Sequence, residues 1–532
     1  MPGLSRADFT TSPPRIDIPR DYNAAHDLVA RNLAAGRADK VAFVDDHGSL
    51  TYGALAVRVE RCAAAMLALG LRPEERVLVA LLDTVDFPVA FLGVINAGIV
   101  PVAANTLLTP SEYAYMLDDS RARALVVSAS LLPSFLPILA ERRHLRHVIV
   151  SGDGPAPRPP GALALDALLA RGDALAEAAD TTRDDIAFWL YSSGSTGAPK
   201  GTMHVHASLV TTAYLHGGPI VGVREDDVVF SAAKLFFAYG LGNALTYPMT
   251  VGATAILMAE RPTPDAVFKR LKERRPTVFY GVPTLFAALL ASSALPARDE
   301  VALRIATSAG EALPESIGRR FAERFGIDVL DGLGSTEMLH VYLSNRPGDV
   351  KYGTSGRPVP GYALRVVGDD GADVAPGEIG ELQVEGPTAA AGYWNQREKS
   401  RTTFVGTWTR SGDKYRVDAD GRYVYEGRSD DMLKVGGIYV SPVEVEAALM
   451  THDDVLEAAV VGRQDADGLV KPKAYVVLKA GRTGDDGVAR ALQEHVKARL
   501  APFKYPRWVE FIGELPKTAT GKIQRFKLRA RS

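Results

Sequence analysis

The stretch Tyr191-Ser-Ser-Gly-Ser-Thr-Gly-Ala-Pro-Lys-Gly-Thr202 constrains this chain more than any other. It follows Asp185-Ile-Ala-Phe-Trp-Leu190, a short apolar run that reads as a buried strand of an α/β sheet. Small residues let backbone N–H groups approach an anion, hydroxyls donate to phosphate oxygens, and Lys200 adds a point charge. The composition is that of a phosphate-binding loop. It is not the Walker loop, which needs G-x-x-x-x-G-K-[ST]: counting from Gly194 gives Pro199, Lys200 and then Gly201. A flexible Ser/Gly turn is the plain alternative.

The rest of the chain has the alternation expected around such a loop. Between about 40 and 150, apolar runs (Val77–Leu82, Ala124–Ser128, His147–Ser151) alternate with helical stretches, the pattern of a parallel sheet with crossovers. Gly152–Gly161 is a loop by composition. A second series runs from Asp185 to about Gly334, with strands at Val228–Ala232, Ala253–Met258, Thr277–Val282, Arg304–Ser308 and Asp328–Leu330. From about 357 to 428, short alternating strands (Tyr362–Val367, Glu381–Val384) broken by Gly and Asp turns form a small β-rich subdomain. Past Arg428, two strands (Leu456–Val461, Lys473–Leu478) and a helix at about Val488–Leu500 make a small α+β domain. The expected class is α/β. A large N-terminal domain, 1–428, holds two sheet subdomains and the β-rich one; a mobile C-terminal domain, 429–532, follows. The Pro-rich residues 1–20 are expected to wrap a surface.

Composition excludes several classes. A length of 532 residues exceeds one ordinary core and suggests roughly two to four domains. A net charge of −2 gives no field to recruit nucleic acid or an anionic membrane. The lone Cys62 excludes an internal disulfide framework, fits a reducing compartment, and sits in an Ala-rich helical stretch as a buried structural thiol. The N-terminus lacks the order of a signal peptide. Pro88–Ala104 is interrupted by Asn96, two glycines and Pro101 and reads as a buried helix and strand, not a membrane span. A cytoplasmic location is expected.

Four later stretches repeat, with the first loop and in the same order, the motifs of a known superfamily: Leu333-Gly-Ser-Thr-Glu337, Trp408-Thr-Arg-Ser-Gly-Asp413, Gly427-Arg-Ser-Asp-Asp431 and Pro516-Lys-Thr-Ala-Thr-Gly-Lys522. The chain resembles the adenylate-forming superfamily of acyl-CoA ligases, luciferases and peptide-synthetase adenylation domains. That resemblance implies ATP, Mg²⁺ and coenzyme A. It implies nucleotide contacts from Ser192, Ser193, Gly194, Ser195, Thr196 and Lys200, from the adenine-edge loop Gly310, Glu311 and Ala312, and from Asp331, Gly332, Leu333 and Ser335. Thr336 would contact the α-phosphate and Glu337 would bind the metal, a hard cation suited to a carboxylate; a helix-capping Thr-Glu pair is the alternative. The superfamily often has an aromatic residue at the position of Leu333, so adenine stacking is reduced here to an apolar face. Asp413 suits the ribose hydroxyls and Arg428 the same sugar or a phosphate; either alone reads as a surface ion-pair residue. Lys522 would bridge carboxylate and α-phosphate during adenylation, while Arg525, Lys527, Arg529 and Arg531 read as a solvated basic tail. Asp430 is the implied hinge, and Gly436 and Gly437 the segment brought to the pantetheine channel.

Lys234-Leu-Phe-Phe-Ala-Tyr-Gly-Leu-Gly242, Tyr280-Gly-Val-Pro-Thr284 and Leu333–Val341 resemble benzoate–CoA ligases within that superfamily. By that match Ala238, Tyr239, Gly334, His340 and Val341 line the acyl pocket, a flat apolar slot that suits a benzene ring. His340 is then a wall residue and not a base, because an ionised acid has no proton to lose. The implied reaction forms benzoyl-AMP and then benzoyl-CoA, with AMP and pyrophosphate released. The partners are a small aromatic carboxylate, ATP and CoA, without nucleic acid or membrane; a homodimer is left open. Ligation of a hydroxy- or aminobenzoate, or adenylation of an aryl acid for a carrier protein, are the related alternatives. A P-loop phosphotransferase and a non-catalytic nucleotide-binding protein are those of other classes; the failed Walker count opposes the first and Lys522 the second.

Overall fold

The computed structural model describes residues 2–154, 156–171, 174–175, 177–194, 197–429, 431–435, 438–466, 469–501, 503–517 and 523–531. Two compact units divide the chain. The first comprises 1–350, 358–363 and 385–409, and the second 351–357, 364–384 and 410–532.

The first unit carries two large sheets. One has the order Gly392–Tyr393, Gly197–Val205, Ile186–Gly194, Val100–Ala103, Arg76–Ala80, Ala124–Ser128, His147–Ser151, Leu163–Ala164. It is parallel from Ile186–Gly194 onward and antiparallel at the other end. In the other, Val341–Ser344, Val329–Gly334, Ile305–Ala309, Val278–Gly281, Val228–Ser231, Thr254–Ile256, Val41–Val44 and Ser49–Thr51 lie side by side.

Chain order and sheet membership therefore part company, a correction to the two consecutive series read from sequence. The strand from Ile186 joins the earlier series, pairing Trp189 with Val102 and Leu190 with Ala103. The early strand Val41–Val44 joins the later one, with Phe43 against Ala255 and Val44 against Ile256. Parallel neighbours are chosen by burial of both faces, and nothing local to either strand specifies the partner. The most apolar segment resolves into the helix Asp86–Asn96 and the strand Val100–Ala103, both buried. Among the described residues no helix is long and apolar enough to cross a membrane. Cys62 is buried in the helix Tyr52–Ala68, and burial pushes its thiol up to about 12, which keeps it unreactive. Residues 6–8 and 15–17 pair as a small hairpin. Just before it, Ser5 donates to the buried Asp27 carboxylate, which also accepts from Tyr22.

In the second unit, Ala363–Val367, Gly380–Glu385, Trp408–Val417 and Tyr423–Arg428 form a sheet. The C-terminal part packs helices Pro442–Met450 and Asp486–Lys497 on the strands Val455–Gln464, Val470–Leu478 and Trp508–Phe511. The third of these strands went unread in the sequence. The expected solvated tail is also corrected. Arg525–Arg529 is a short helix whose Leu528 is fully buried beside Val461 and Tyr475. Arg525 makes a two-pronged ion pair with Glu446, and Arg529 pairs with Asp431. One apolar residue at the right register converts a basic run into an anchored helix.

Candidate active site

The Ser/Thr/Gly stretch is not a loop throughout. The strand Ile186–Gly194 carries its first part and Gly197–Val205 its last, so the two form a β-hairpin with Ser192 opposite Lys200 and Gly194 opposite Gly197. Ser193 and Gly194 therefore end a strand; Ser195 and Thr196 lie outside the described residues. The hairpin is held from behind. The Tyr115 hydroxyl donates to the Pro199 carbonyl at 3.0 Å, and the Tyr191 hydroxyl to Asp119 Oδ2 at 2.6 Å. Trp394 packs tilted against Trp189, ring centroids 4.8 Å apart, and donates its indole N–H to the Asp119 carbonyl.

Facing the hairpin, the strand Val329–Gly334 leads into a single turn, Thr336–Met338, capped by Ser335, whose hydroxyl accepts from Met338 N–H. Ser335 thus has the capping role weighed above for Thr336. Two described groups hold the Glu337 carboxylate, both at Oε1: the Tyr393 hydroxyl at 2.8 Å and the Ser192 hydroxyl at 3.3 Å. The Thr336 carbonyl accepts from His204 Nε2 at 2.8 Å. His204 is fully buried on the returning hairpin strand, stacked 5.2 Å from Phe188. Burial lowers it to about 4, so the ring is neutral and Nε2, facing a carbonyl, carries the proton. Lys200 Nζ lies 4.7 Å from the Tyr393 ring centroid. Ser192, Lys200, Thr336 and Glu337 therefore converge, joined by Tyr393.

The strand Ile305–Ala309 delivers Gly310, Glu311 and Ala312. Asp331 Oδ2 accepts from the N–H of Leu313, the next residue, at 3.2 Å, while Oδ1 is buried without a hydrogen-bond partner among the described residues. Burial raises Asp331 to about 8. Asp331 thus ties the expected adenine-edge loop to the strand carrying Gly332 and Leu333. In the second unit Asp413 and Arg428 are cross-strand partners, with Nη1 3.1 Å from Oδ1. Asp430, Gly436, Gly437 and Lys522 lie outside the described residues.

The expected acyl-pocket residues also assemble. Ala238 and Tyr239 open the short helix Ala238–Leu241; Gly334 ends its strand, and His340 and Val341 follow the Thr336–Met338 turn. The Tyr239 and His340 rings are 5.5 Å apart, and Tyr280 meets Tyr239 edge-on at 6.3 Å. Tyr239 bonds Thr307 through its hydroxyl at 2.5 Å. His340 is buried and neutral, lowered to about 3 by burial. Its ring touches Tyr247 at 4.7 Å, and His216 stands 5.6 Å away. The residues brought together here are aromatic rings and small side chains.

The AMP-binding enzyme family matches residues 30–394, and the AMP-binding enzyme C-terminal domain matches 444–522. The chain belongs to the AMP-binding enzyme family. Among its relatives, a benzoate–CoA ligase of Thauera aromatica is 60% identical over 99% of both chains. A 4-hydroxybenzoate–CoA/benzoate–CoA ligase of Rhodopseudomonas palustris is 54% identical over 96% of this chain and 94% of its own. A crystal structure of a benzoate CoA ligase from Burkholderia xenovorans LB400 superposes with TM-score 0.89 at 57% identity, covering 96% of this chain and all of the other. An anthranilate CoA ligase in complex with anthranoyl-AMP superposes with TM-score 0.92 at 43% identity, covering 97% and 98%.

In this AMP-binding enzyme, motif reading missed the residues that hold the motifs: Tyr393, His204, Tyr115, Asp119, Tyr247 and His216. Gly392-Tyr393 gave no signal because a two-residue strand has no period. His204 lies on the strand Gly197–Val205 and His206 opens the helix His206–Thr212; both are buried, and nothing in the sequence marks the Thr336 carbonyl that His204 meets.

Proposed function

We propose that this enzyme joins benzoate to coenzyme A at the expense of ATP. Benzoate oxygen attacks the α-phosphorus, giving benzoyl-AMP and pyrophosphate; the CoA thiol then attacks the acyl carbon, giving benzoyl-CoA and AMP. The observation that carries this reading is the 60% identity, end to end, to a benzoate–CoA ligase. The gathering of Tyr239, Tyr280 and His340 at the expected acyl site supports it physically, because aromatic walls reward a planar ring over a flexible chain.

The residue roles are those the family resemblance implies. Ser192 to Thr196 and Lys200 serve the phosphates, together with Thr336. Gly310, Glu311 and Ala312 take the adenine edge, and Asp331, hydrogen-bonded to the next amide, sets their position. Asp413, already paired with Arg428, takes the ribose hydroxyls. The donors at Glu337 fit Mg²⁺: both bonds from described residues go to Oε1, and an octahedral ion that keeps phosphate and water ligands needs one carboxylate oxygen from the protein. When bound, the ion neutralises charge on the phosphates. Lys522 supplies a second cation for the adenylation step, Asp430 is the pivot of the 429–532 domain, and Gly436 and Gly437 line the thiol's approach. A cytoplasmic setting and a homodimer complete the proposal; sedimentation tests the latter. Incubation with benzoate, ATP and CoA, followed by nucleotide analysis, decides the reaction. AMP and pyrophosphate in step with benzoyl-CoA are expected, and ADP in their place refutes it.

A further inference from the structure

Behind the slot lies a buried polar chain that the reaction does not use. Tyr239 O is 3.2 Å from His340 Nε2; His340 Nδ1 is 2.7 Å from the Tyr247 hydroxyl; that hydroxyl is 3.0 Å from His216 Nδ1. His216 and His340 are both buried, as is Tyr247. Burial pushes both imidazoles far down and the phenol far up, so all three are neutral and the chain holds a fixed number of protons.

The protons can be placed by elimination. A backbone carbonyl only accepts, so His340 Nε2 must be the donor and its Nδ1 is bare. Tyr247 then donates its one proton to Nδ1 and accepts from His216 Nδ1–H. The chain therefore has one direction, from His216 through Tyr247 and His340 to the carbonyl of Tyr239. Its anchor matters because the Tyr239 carbonyl belongs to the turn that presents Ala238 and Tyr239.

Both rings are closely packed. A Cβ at Gly242 would come within 2.3 Å of His340 Cδ2, and one at Gly217 within 2.8 Å of Tyr247 Cγ, so each ring lies directly on a glycine. Leu339, just before His340, has φ +67°, an uncommon backbone for a leucine that the surroundings must hold in place.

We propose that His216 and Tyr247 are positioning residues for the aryl slot: they fix the tautomer and pose of His340, which ties one wall, Leu339–Val341, to the other, Ala238–Leu241. The inference rests on the acyl-pocket reading above. It assigns the two residues a part in substrate recognition without contact with substrate.

Three full-length variants test it: Tyr247→Phe, His216→Leu and His216→Asn, whose amide N–H takes the place of Nδ1–H. With ATP and CoA saturating, Tyr247→Phe and His216→Leu are expected to raise KM for benzoate about tenfold, the scale of a lost buried hydrogen bond. KM for ATP and kcat stay near wild type, and His216→Asn restores benzoate KM. Equal losses toward benzoate and ATP, or unchanged benzoate KM in folded Tyr247→Phe, overturn the proposal. Nitrogen-15 NMR of histidine-labelled protein reads the tautomer independently, with His340→Asn identifying the signal. Wild type is expected to show His340 protonated at Nε2 alone, shifting in Tyr247→Phe; a proton at Nδ1 in wild type refutes the chain even if the variants fail to fold. Should wild type form no AMP with benzoate, the functional reading fails while the NMR still judges the relay.

Discussion

Tyr393→Phe is the substitution that isolates how the phosphate site is built. It removes only the hydroxyl that donates to Glu337 Oε1 at 2.8 Å and leaves the ring that Lys200 Nζ overlies at 4.7 Å. A hydrogen bond to an ionised acceptor contributes roughly 1.5–3 kcal/mol, which is about a 10- to 150-fold change in an equilibrium or rate. The remaining donor, Ser192, is longer at 3.3 Å and reaches the same oxygen, so it restrains the carboxylate less and from the same side. If the fixed carboxylate is what receives Mg²⁺-ATP, kcat/KM for ATP in benzoate-dependent pyrophosphate exchange should fall by about 10- to 150-fold, with the Mg²⁺ dependence moved to higher concentration. Thioester formation from supplied benzoyl-AMP should change little. Ser192→Ala alone should cost less. The double variant should lose more than the sum, because the two donors substitute for each other on one oxygen. Wild-type exchange and an unmoved Mg²⁺ dependence in Tyr393→Phe would show that Glu337 is placed by other means and refute the reasoning.

Burial lowers His204 and His206 to about 4, His340 to about 3, and His216 well below its ordinary value, so below about pH 6.5 the unfolded chain takes up protons that the fold refuses. Stability should therefore fall from pH 6.5 toward pH 4, by up to ~1.4 kcal/mol per pH unit for each such histidine. Raised carboxyls act with the opposite sign and reduce the net slope: Asp331, raised to about 8, Asp83, to about 6, and Glu60, Asp119, Glu426 and Glu446, all raised by burial. Urea midpoints across that range check it, and His204→Gln, which keeps a donor for the Thr336 carbonyl, should flatten the slope by about one proton. Lys522→Ala should cut benzoyl-AMP formation at least ~100-fold yet leave thioester formation from supplied benzoyl-AMP near wild type; equal loss in both would make the lysine structural. Asp430→Pro fixes a backbone angle at the proposed pivot, so thioester formation should fall by more than ~100-fold while pyrophosphate exchange persists; two unimpaired half-reactions would place the pivot elsewhere.

Five motifs in order were enough to identify the superfamily from the sequence, because each is a short run whose residue types do local chemistry. Local pattern also placed the strands Ala124–Ser128 and His147–Ser151 at their observed bounds, and put Cys62 in a buried helix. Both depend on neighbours a few residues away: side-chain alternation, apolar runs and turn residues. What the tertiary structure alone decided was partnership across long separations. Sequence order assigned Ile186–Gly194 to the later sheet, yet it pairs with Val100–Ala103. A tyrosine at 393 carries no mark that its hydroxyl will meet Glu337, nor does His204 announce the carbonyl of Thr336. Arg525 looked solvated until Leu528 and Glu446 anchored its helix. The residues that perform chemistry are legible because the reaction dictates their type. Those that hold them are chosen by whichever donor, acceptor or apolar face the folded chain happens to bring alongside, and that choice exists only once the sheets have formed.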